Sequence, residues 1–234
     1  MALTQEARAR LEPDAARIIS RYPRTRSALL PLLHLVQAEE GFVSEDGIEF
    51  CAEQLGLTHA EVTAVASFYT MYKRRPPGEF HVGVCTNSLC AVMGGDAIFA
   101  DLQEHLEIGN DEMTADGKVS LEHLECNAAC DYAPVVMVNW EFFDNMTPQS
   151  ARDLVDGLRS GAEGVVPTRG APRLCTWKQA SRILAGFPDG QGAEGNTAGG
   201  PSLAGLRVAK EQGWTPDPPD SETGNTAGNG KATK

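Results

Sequence analysis

No apolar run in the 234-residue chain approaches the roughly 20 residues that a helix needs to cross a bilayer. Basic residues are also short: 20 Lys and Arg face 32 Asp and Glu, a formal net charge of −12. That balance argues against a nucleic-acid partner, whose phosphates are bound by releasing counterions to Lys and Arg. No glycine-rich GxGxxG follows a predicted strand and no Walker loop occurs, so no nucleotide site is expected on this chain. A CxxC pair is missing too, which sets aside a thioredoxin-like dithiol, and so is the tight CxxCxxC run of bacterial [4Fe–4S] proteins. The first 26 residues are arginine-rich, but Glu6, Glu12 and Asp14 do not suit a transit peptide, and a signal-peptide core is lacking. The expectation is therefore a cytoplasmic protein, where closely spaced cysteines serve as metal or redox ligands more often than as disulfides.

What is present divides into three parts. Residues 1–78 carry a helical period, with Ala15, Ile18 and Ile19, then Leu29, Leu32, Leu33 and Val36, on recurring faces. Gly41 ends the second helix, a third is expected over 44–55, and Thr58 with Glu61 forms a capping box for a fourth. Pro76-Pro77-Gly78 closes this helical bundle. From residue 79 to 162 the period changes. Strands are expected over 80–85, 119–125 and 135–140, with Glu141-Phe142-Phe143 as a returning hairpin partner. Helices are expected over 94–106 and from Thr147-Pro148 to Gly161. The order β-α-β-β-β-α makes the whole chain α+β. Residues 163–234 read as an extended C-terminal segment. Over 187–234, ten glycines and five prolines fill 15 of 48 positions, and Gly-Asn-Thr-Ala-Gly occurs at 195–199 and 224–228. Such a stretch buries too little apolar surface to offset its chain entropy. Leu203, Leu206, Val208 and Trp214 form an apolar island between the repeats, suited to a linker or to docking on a partner.

Four of the six cysteines stand as Cys85-x₄-Cys90 and Cys126-x₃-Cys130, each pair following a predicted strand. Thiolates are soft ligands, preferred by iron–sulfur centres and zinc, and a [2Fe–2S] core takes two per iron. Structural zinc uses C-x₂-C knuckles, or more broadly C-x₂₋₄-C, so C-x₄-C with C-x₃-C is allowed but atypical for it, and the spacing favours an iron–sulfur centre without removing zinc or incidental burial. Cys51 reads as a small buried apolar residue, and Cys175 as a residue that could touch a partner. The five histidines are scattered, and Phe68, Tyr69, Phe142 and Phe143 read as core or interface residues.

The surrounding segments carry a resemblance. Val65-Ala66-Ser67-Phe68-Tyr69-Thr70-Met71-Tyr72, Phe80-His81-Val82-Gly83-Val84-Cys85, Leu121-Glu122-His123-Leu124-Glu125-Cys126 and Ala133-Pro134-Val135-Val136-Met137-Val138-Asn139 resemble the 24 kDa subunit family of respiratory complex I. In bacteria this is the E-type subunit of NADH–quinone oxidoreductase, and the likeness runs from about residue 21 to 161. It implies an N-terminal helical domain followed by a thioredoxin-like [2Fe–2S] domain, with Cys85, Cys90, Cys126 and Cys130 on the four ligand positions. It implies a partner as well, the larger 51 kDa-type subunit that binds FMN and NADH, and a place peripheral to the cytoplasmic membrane through the complex. One cluster beside the flavin would take single electrons from a two-electron donor and so buffer the half-reduced flavin. Related diaphorase subunits of NAD-linked hydrogenases and formate dehydrogenases share these motifs, and a zinc-stabilised interaction module is the reading furthest from them. One departure stands out: the family often has Leu-Gly between its third and fourth cysteines, where this chain has Asn127-Ala128-Ala129, and alanine restricts the positive φ that glycine allows.

Overall fold

The structure is a computed structural model that describes residues 3–190 and 198–214. The described elements fall into two units, one ending at Thr197 and one beginning at Ala198. In the first unit, helices α1 (Gln5–Ile19), α2 (Leu29–Glu40), α3 (Glu45–Leu55) and α4 (His59–Phe68) precede the sheet. α2 is apolar almost all round, and Leu32, Leu33, Leu35 and Val36 are fully buried, as befits the central helix of a bundle. It ends at Gly41 in the left-handed conformation. Ser44 caps α3, and the Thr58–Glu61 capping box expected from sequence opens α4.

The sheet order is β2-β3-β1-β4-β5, comprising β1 (Phe80–Cys85), β2 (Glu112–Met113), β3 (Val119–Leu124), β4 (Val136–Val138) and β5 (Glu141–Phe143). β1 is central, parallel to β3 and antiparallel to β4. Buried on both faces, it reads as a nearly continuous apolar run. Helices α5 (Ser88–Val92) and α6 (Gly95–Leu106) lead from β1 towards β2, and α7 (Pro148–Arg159), capped by Thr147, follows β5. Ile98, Leu102, Val155 and Leu158 from α6 and α7 meet Val82, Val84 and Leu121 in the sheet core. The short strand β2 and helix α5 have too few residues to set up a period, so the sequence pattern does not reveal them.

The turn joining β4 to β5 is two residues long, and both Asn139 (φ 49°) and Trp140 (φ 76°) are left-handed. A two-residue hairpin demands this, and glycine is the usual second residue. Trp140 is held there by packing on His81 and Trp177, with ring centroids 6.1 and 5.6 Å away. Asn139 accepts the His81 N–H (2.8 Å) and donates to the Cys175 carbonyl (2.8 Å).

The C-terminal segment differs most from its sequence reading. The sequence is read as an extended segment over residues 163–234, yet α8 (Trp177–Leu184) is a regular helix opened by a Thr176–Gln179 capping box. Its physical reason is amphipathicity: Trp177, Ala180 and Ser181 are buried while Lys178 and Arg182 stay outside. The Trp177 indole N–H donates to the Gly41 carbonyl (2.7 Å), and Ser181 lies against buried Gln37 (3.3 Å). Gln37 also ties α2 to the chain leaving α4, donating to the Met71 carbonyl (3.1 Å) and accepting the Lys73 N–H (2.8 Å). Ala185 then joins the core of the helical bundle. In the second unit, helix α9 (Ala204–Glu211) carries Leu206 and Val208 of the apolar island, with Leu203 and Trp214 flanking it, and all four are exposed. The compositional expectation for 187–234, including the repeat at 224–228, falls mainly on residues outside those described.

Candidate functional site

The four paired cysteines converge at one end of the sheet. Cys85 is the last residue of β1 and Cys90 lies within α5, both buried. Cys126 follows β3 in a loop, and Cys130 begins a 3₁₀ turn, Cys130–Tyr132; both are exposed. The site thus has a covered side and an open one. Ala129, Ala133 and Val135 pack with Cys85 and Cys90 in a small apolar cluster, with Tyr132 and Phe142 against it. On the open side, Cys126 and Asn127 line a cleft of about 330 Å³ with Tyr69, Met71 and Trp140.

Backbone geometry forces the close approach. Gly95, at the start of α6, lies against the carbonyls of both Cys85 and Cys90. A β-carbon there would come within 2.9 Å of the Cys90 oxygen and closer still to that of Cys85. Only glycine lets α6 start beside the two cysteines. The Cys85 N–H donates to the Val135 carbonyl (3.0 Å), which fastens β1 to the segment entering β4.

The thiols meet chiefly as two pairs. Burial first, then hydrogen bonding with Cys85, pushes the Cys90 thiol up to about 11. Cys130 is raised by desolvation and then by the neighbouring Cys126, with Cys85 also contributing. Sulfurs this close resist ionising together, because each thiolate opposes the next. A cationic core placed among them would remove that penalty and favour their thiolate forms. Two dithiol pairs supply the two thiolates per iron that a binuclear core takes, and the same four thiolates also match one tetrahedral zinc. Backbone donors are in place as well: the Ala128 N–H points at the Cys126 sulfur (3.3 Å), and the Val135 N–H serves Cys90. Such N–H···S contacts stabilise the more negative, reduced state.

Ala128 also carries backbone strain. Sequence predicts that alanine restricts positive φ in this loop, yet Ala128 sits at φ 52°. That conformation turns the chain leaving Ala128 towards Cys130, and it costs a non-glycine residue about 1–2 kcal/mol. Replacing Ala128 by Gly is expected to raise apoprotein stability by about 0.5–1 kcal/mol, the relief being partly offset by the freer unfolded chain. A denaturant melt reads this directly, and a drop in stability would contradict the assigned strain.

The remaining sequence candidates are placed elsewhere. Cys51 is fully buried in the helical bundle, and burial pushes its thiol far up. Cys175 is half-buried beyond the sheet, and burial raises its thiol too. His123 is exposed, 3.4 Å from the Thr86 hydroxyl and edge-on to Phe99. Phe143 is buried and Phe142 packs beside the cysteines, whereas Phe68 and Tyr69 are exposed. Two features escape sequence reading. One is a network at the junction of helices and sheet, where Glu122 accepts from Lys73 (2.5 Å) and meets buried His81 (2.7 Å). Burial pushes the Glu122 carboxyl up, but hydrogen bonds from His81 and Lys73 outweigh it and hold it at about 2. The other is Arg169, whose side chain returns from the C-terminal segment to Tyr132 and Phe142. No local motif marks contacts so distant in sequence.

Comparison with known proteins agrees with this geometry. Residues 15–159 match the thioredoxin-like [2Fe–2S] ferredoxin family. The E-type subunit of the NADH-quinone oxidoreductase of Mycobacterium tuberculosis is 68% identical over 204 residues, covering 87% of this chain and 80% of that one. Subunit 2 of the Thermus thermophilus enzyme is 40% identical over 137 residues, covering 58% and 76% respectively. A crystal structure of an NAD+-reducing [NiFe]-hydrogenase superposes with a TM-score of 0.52 at 19% identity, covering 60% of this chain and 25% of its own, a likeness of fold. No helix among the described residues is long and apolar enough to cross a membrane. With two cysteine pairs gathered at one end of a mixed sheet and the family match spanning both, the chain belongs to the thioredoxin-like [2Fe–2S] ferredoxin family, alongside the E-type subunits of NADH–quinone oxidoreductase.

Proposed function

We propose that Cys85, Cys90, Cys126 and Cys130 hold one [2Fe–2S] cluster, and that this chain is the electron-holding subunit beside the FMN- and NADH-binding 51 kDa-type subunit of an NADH–quinone oxidoreductase. The observation that carries the ligand set is the meeting of two dithiol pairs at one end of the sheet. When bound, the cluster supplies storage for a single electron. The chain's own residues do the rest. Cys85 and Cys90 anchor the covered side, where Ala129, Ala133 and Val135 exclude water. The amides of Ala128 and Val135 donate to sulfur and favour the added charge. Cys126 and Cys130, exposed beside an open cleft, leave a short path to a donor on the partner.

FMN and NADH belong on the partner because this sequence has no glycine-rich phosphate loop after a strand. The complex would keep the chain on the cytoplasmic side, peripheral to the membrane. The 68% identity to the mycobacterial NADH-quinone oxidoreductase subunit favours this assignment over the diaphorase subunit of an NAD-linked hydrogenase or formate dehydrogenase. Co-expression with the flavin-binding subunit tests the reading. NADH is expected to produce the spectrum of a one-electron-reduced [2Fe–2S] centre in the pair, but not in this chain alone. Reduction of the isolated chain by NADH, or none in the pair, would contradict it. Co-purifying quinone-site subunits would support the NADH–quinone assignment, and hydrogenase subunits would overturn it.

A further inference from the structure

The segment after α7 comes back to the sheet at residues 168 and 169. The Thr168 N–H donates to the Phe142 carbonyl (2.9 Å), and Arg169 forms an antiparallel bridge with Phe142. These residues lie beyond the family match, which ends at residue 159. The Arg169 side chain is largely buried, its Nε 2.9 Å from Asp144, whose side chain is only 5% exposed. Its guanidinium carbon sits 4.1 Å from the Phe142 ring centroid and 4.8 Å from that of Tyr132. Those two rings pack against the apolar cluster that contains Cys85 and Cys90. Tyr132 also ends the 3₁₀ turn that starts at Cys130, and its carbonyl accepts the N–H of Asn145, next to Asp144 (2.9 Å).

We propose that Arg169 is a positioning residue for the cluster: it clamps Tyr132, two residues past Cys130, and its buried cation tunes the midpoint potential through the rings that cover the thiols. A planar guanidinium stacks on two rings while pairing with a carboxylate, which an ammonium does less well. In a low-dielectric environment, a fixed positive charge favours the electron added to a cluster that is already anionic. Asp144 partly cancels that field, so the two halves of the pair act with opposite sign. This distinguishes tuning from simple structural support, since loosening the loop from either side would not move the potential in opposite directions.

The test rests on the four-thiolate reading and uses the full-length, cluster-loaded chain in a mediated redox titration followed by electron paramagnetic resonance. R169M is expected to shift the midpoint more negative than wild type, and D144N to shift it more positive. R169K, which keeps the charge but loses the planar stack, is expected to hold a near-wild-type midpoint while losing its cluster faster to a chelator. Midpoints unmoved in R169M and D144N, or moved in the same direction, would overturn the proposal. If R169M takes up no cluster, a D144N midpoint at or below that of wild type still overturns it. A wild-type chain lacking iron and sulfide would instead overturn the four-thiolate reading beneath it.

Discussion

Changing Cys130 to Ala is expected to remove the cluster's visible absorbance, while changing Cys51 to Ala leaves it intact. Both residues are cysteines in the same chain, so the contrast isolates place from chemistry. Cys130 stands at the exposed edge with Cys126 as its nearest thiol neighbour. Losing it leaves three thiolates for a core that takes four. Occupancy is expected to fall on the order of tenfold or more, because metal binding and ligand ordering are coupled. The loss extends into the fold: the 126–130 loop has the 3₁₀ turn and the exposed cleft around it but little apolar packing apart from Ala129. Without the cluster it is expected to exchange its amides freely, whereas the β1–β3 core keeps its protection. Cys51 lies on α3, buried among the bundle's apolar side chains, and its removal leaves only a small cavity. Iron analysis with an absorption spectrum reads both variants. If they behaved alike, the division of roles among the cysteines would be wrong.

Changing Trp177 to Ala is expected to be the most destabilising single change away from the cysteines. The indole is 2% exposed and packs against His81 and Trp140 at 5.4 and 5.6 Å. Emptying so large a site costs about 3–5 kcal/mol. The Gly41 carbonyl also loses its donor at the end of α2. For a domain of this size the thermal midpoint is expected to fall by about 6–20 °C. Trp177 to Phe, which keeps an aromatic ring but lacks the indole N–H, is expected to fall less. A melt of the apoprotein within about 2 °C of wild type for Trp177→Ala would refute the view that α8 is an integral part of the helical bundle.

The parts of this fold legible in sequence are those whose causes are local. The Thr58–Glu61 and Thr147–Pro148 helix starts follow from side chains within reach of their own backbone. The end of α2 follows from a glycine that tolerates a positive φ. β1 is readable because its apolar run ends at Cys85, and the cysteine spacing suggests two ligand pairs without excluding zinc. What stays hidden depends on distant partners. α8 is short and lies in a proline- and glycine-punctuated region, and its helical character becomes meaningful only when Trp177 reaches Gly41, 136 residues earlier. Arg169 is one arginine among many until Tyr132 and Phe142 are brought beneath it. Ala128 shows the reverse case. Its intrinsic preference argues against a positive φ, yet the path of the short loop between Cys126 and Cys130 holds it there.

The acidic composition bears on the cluster's potential. An oxidised core with four thiolates carries about −2, and reduction adds another negative charge. In a chain of net charge −12 this lowers the potential, while the amides of Ala128 and Val135 oppose that trend. The balance is local, since surface charges are screened beyond about 8–10 Å at ordinary ionic strength.

The central claim is that the four cysteines hold a binuclear iron–sulfur cluster. Iron, acid-labile sulfide and zinc, measured per full-length chain with a spectrum after one-electron reduction, test it most directly. The expected result is about two iron and two sulfide per chain, negligible zinc, and a half-integer-spin signal on reduction. One zinc per chain, with neither sulfide nor colour, would contradict the account.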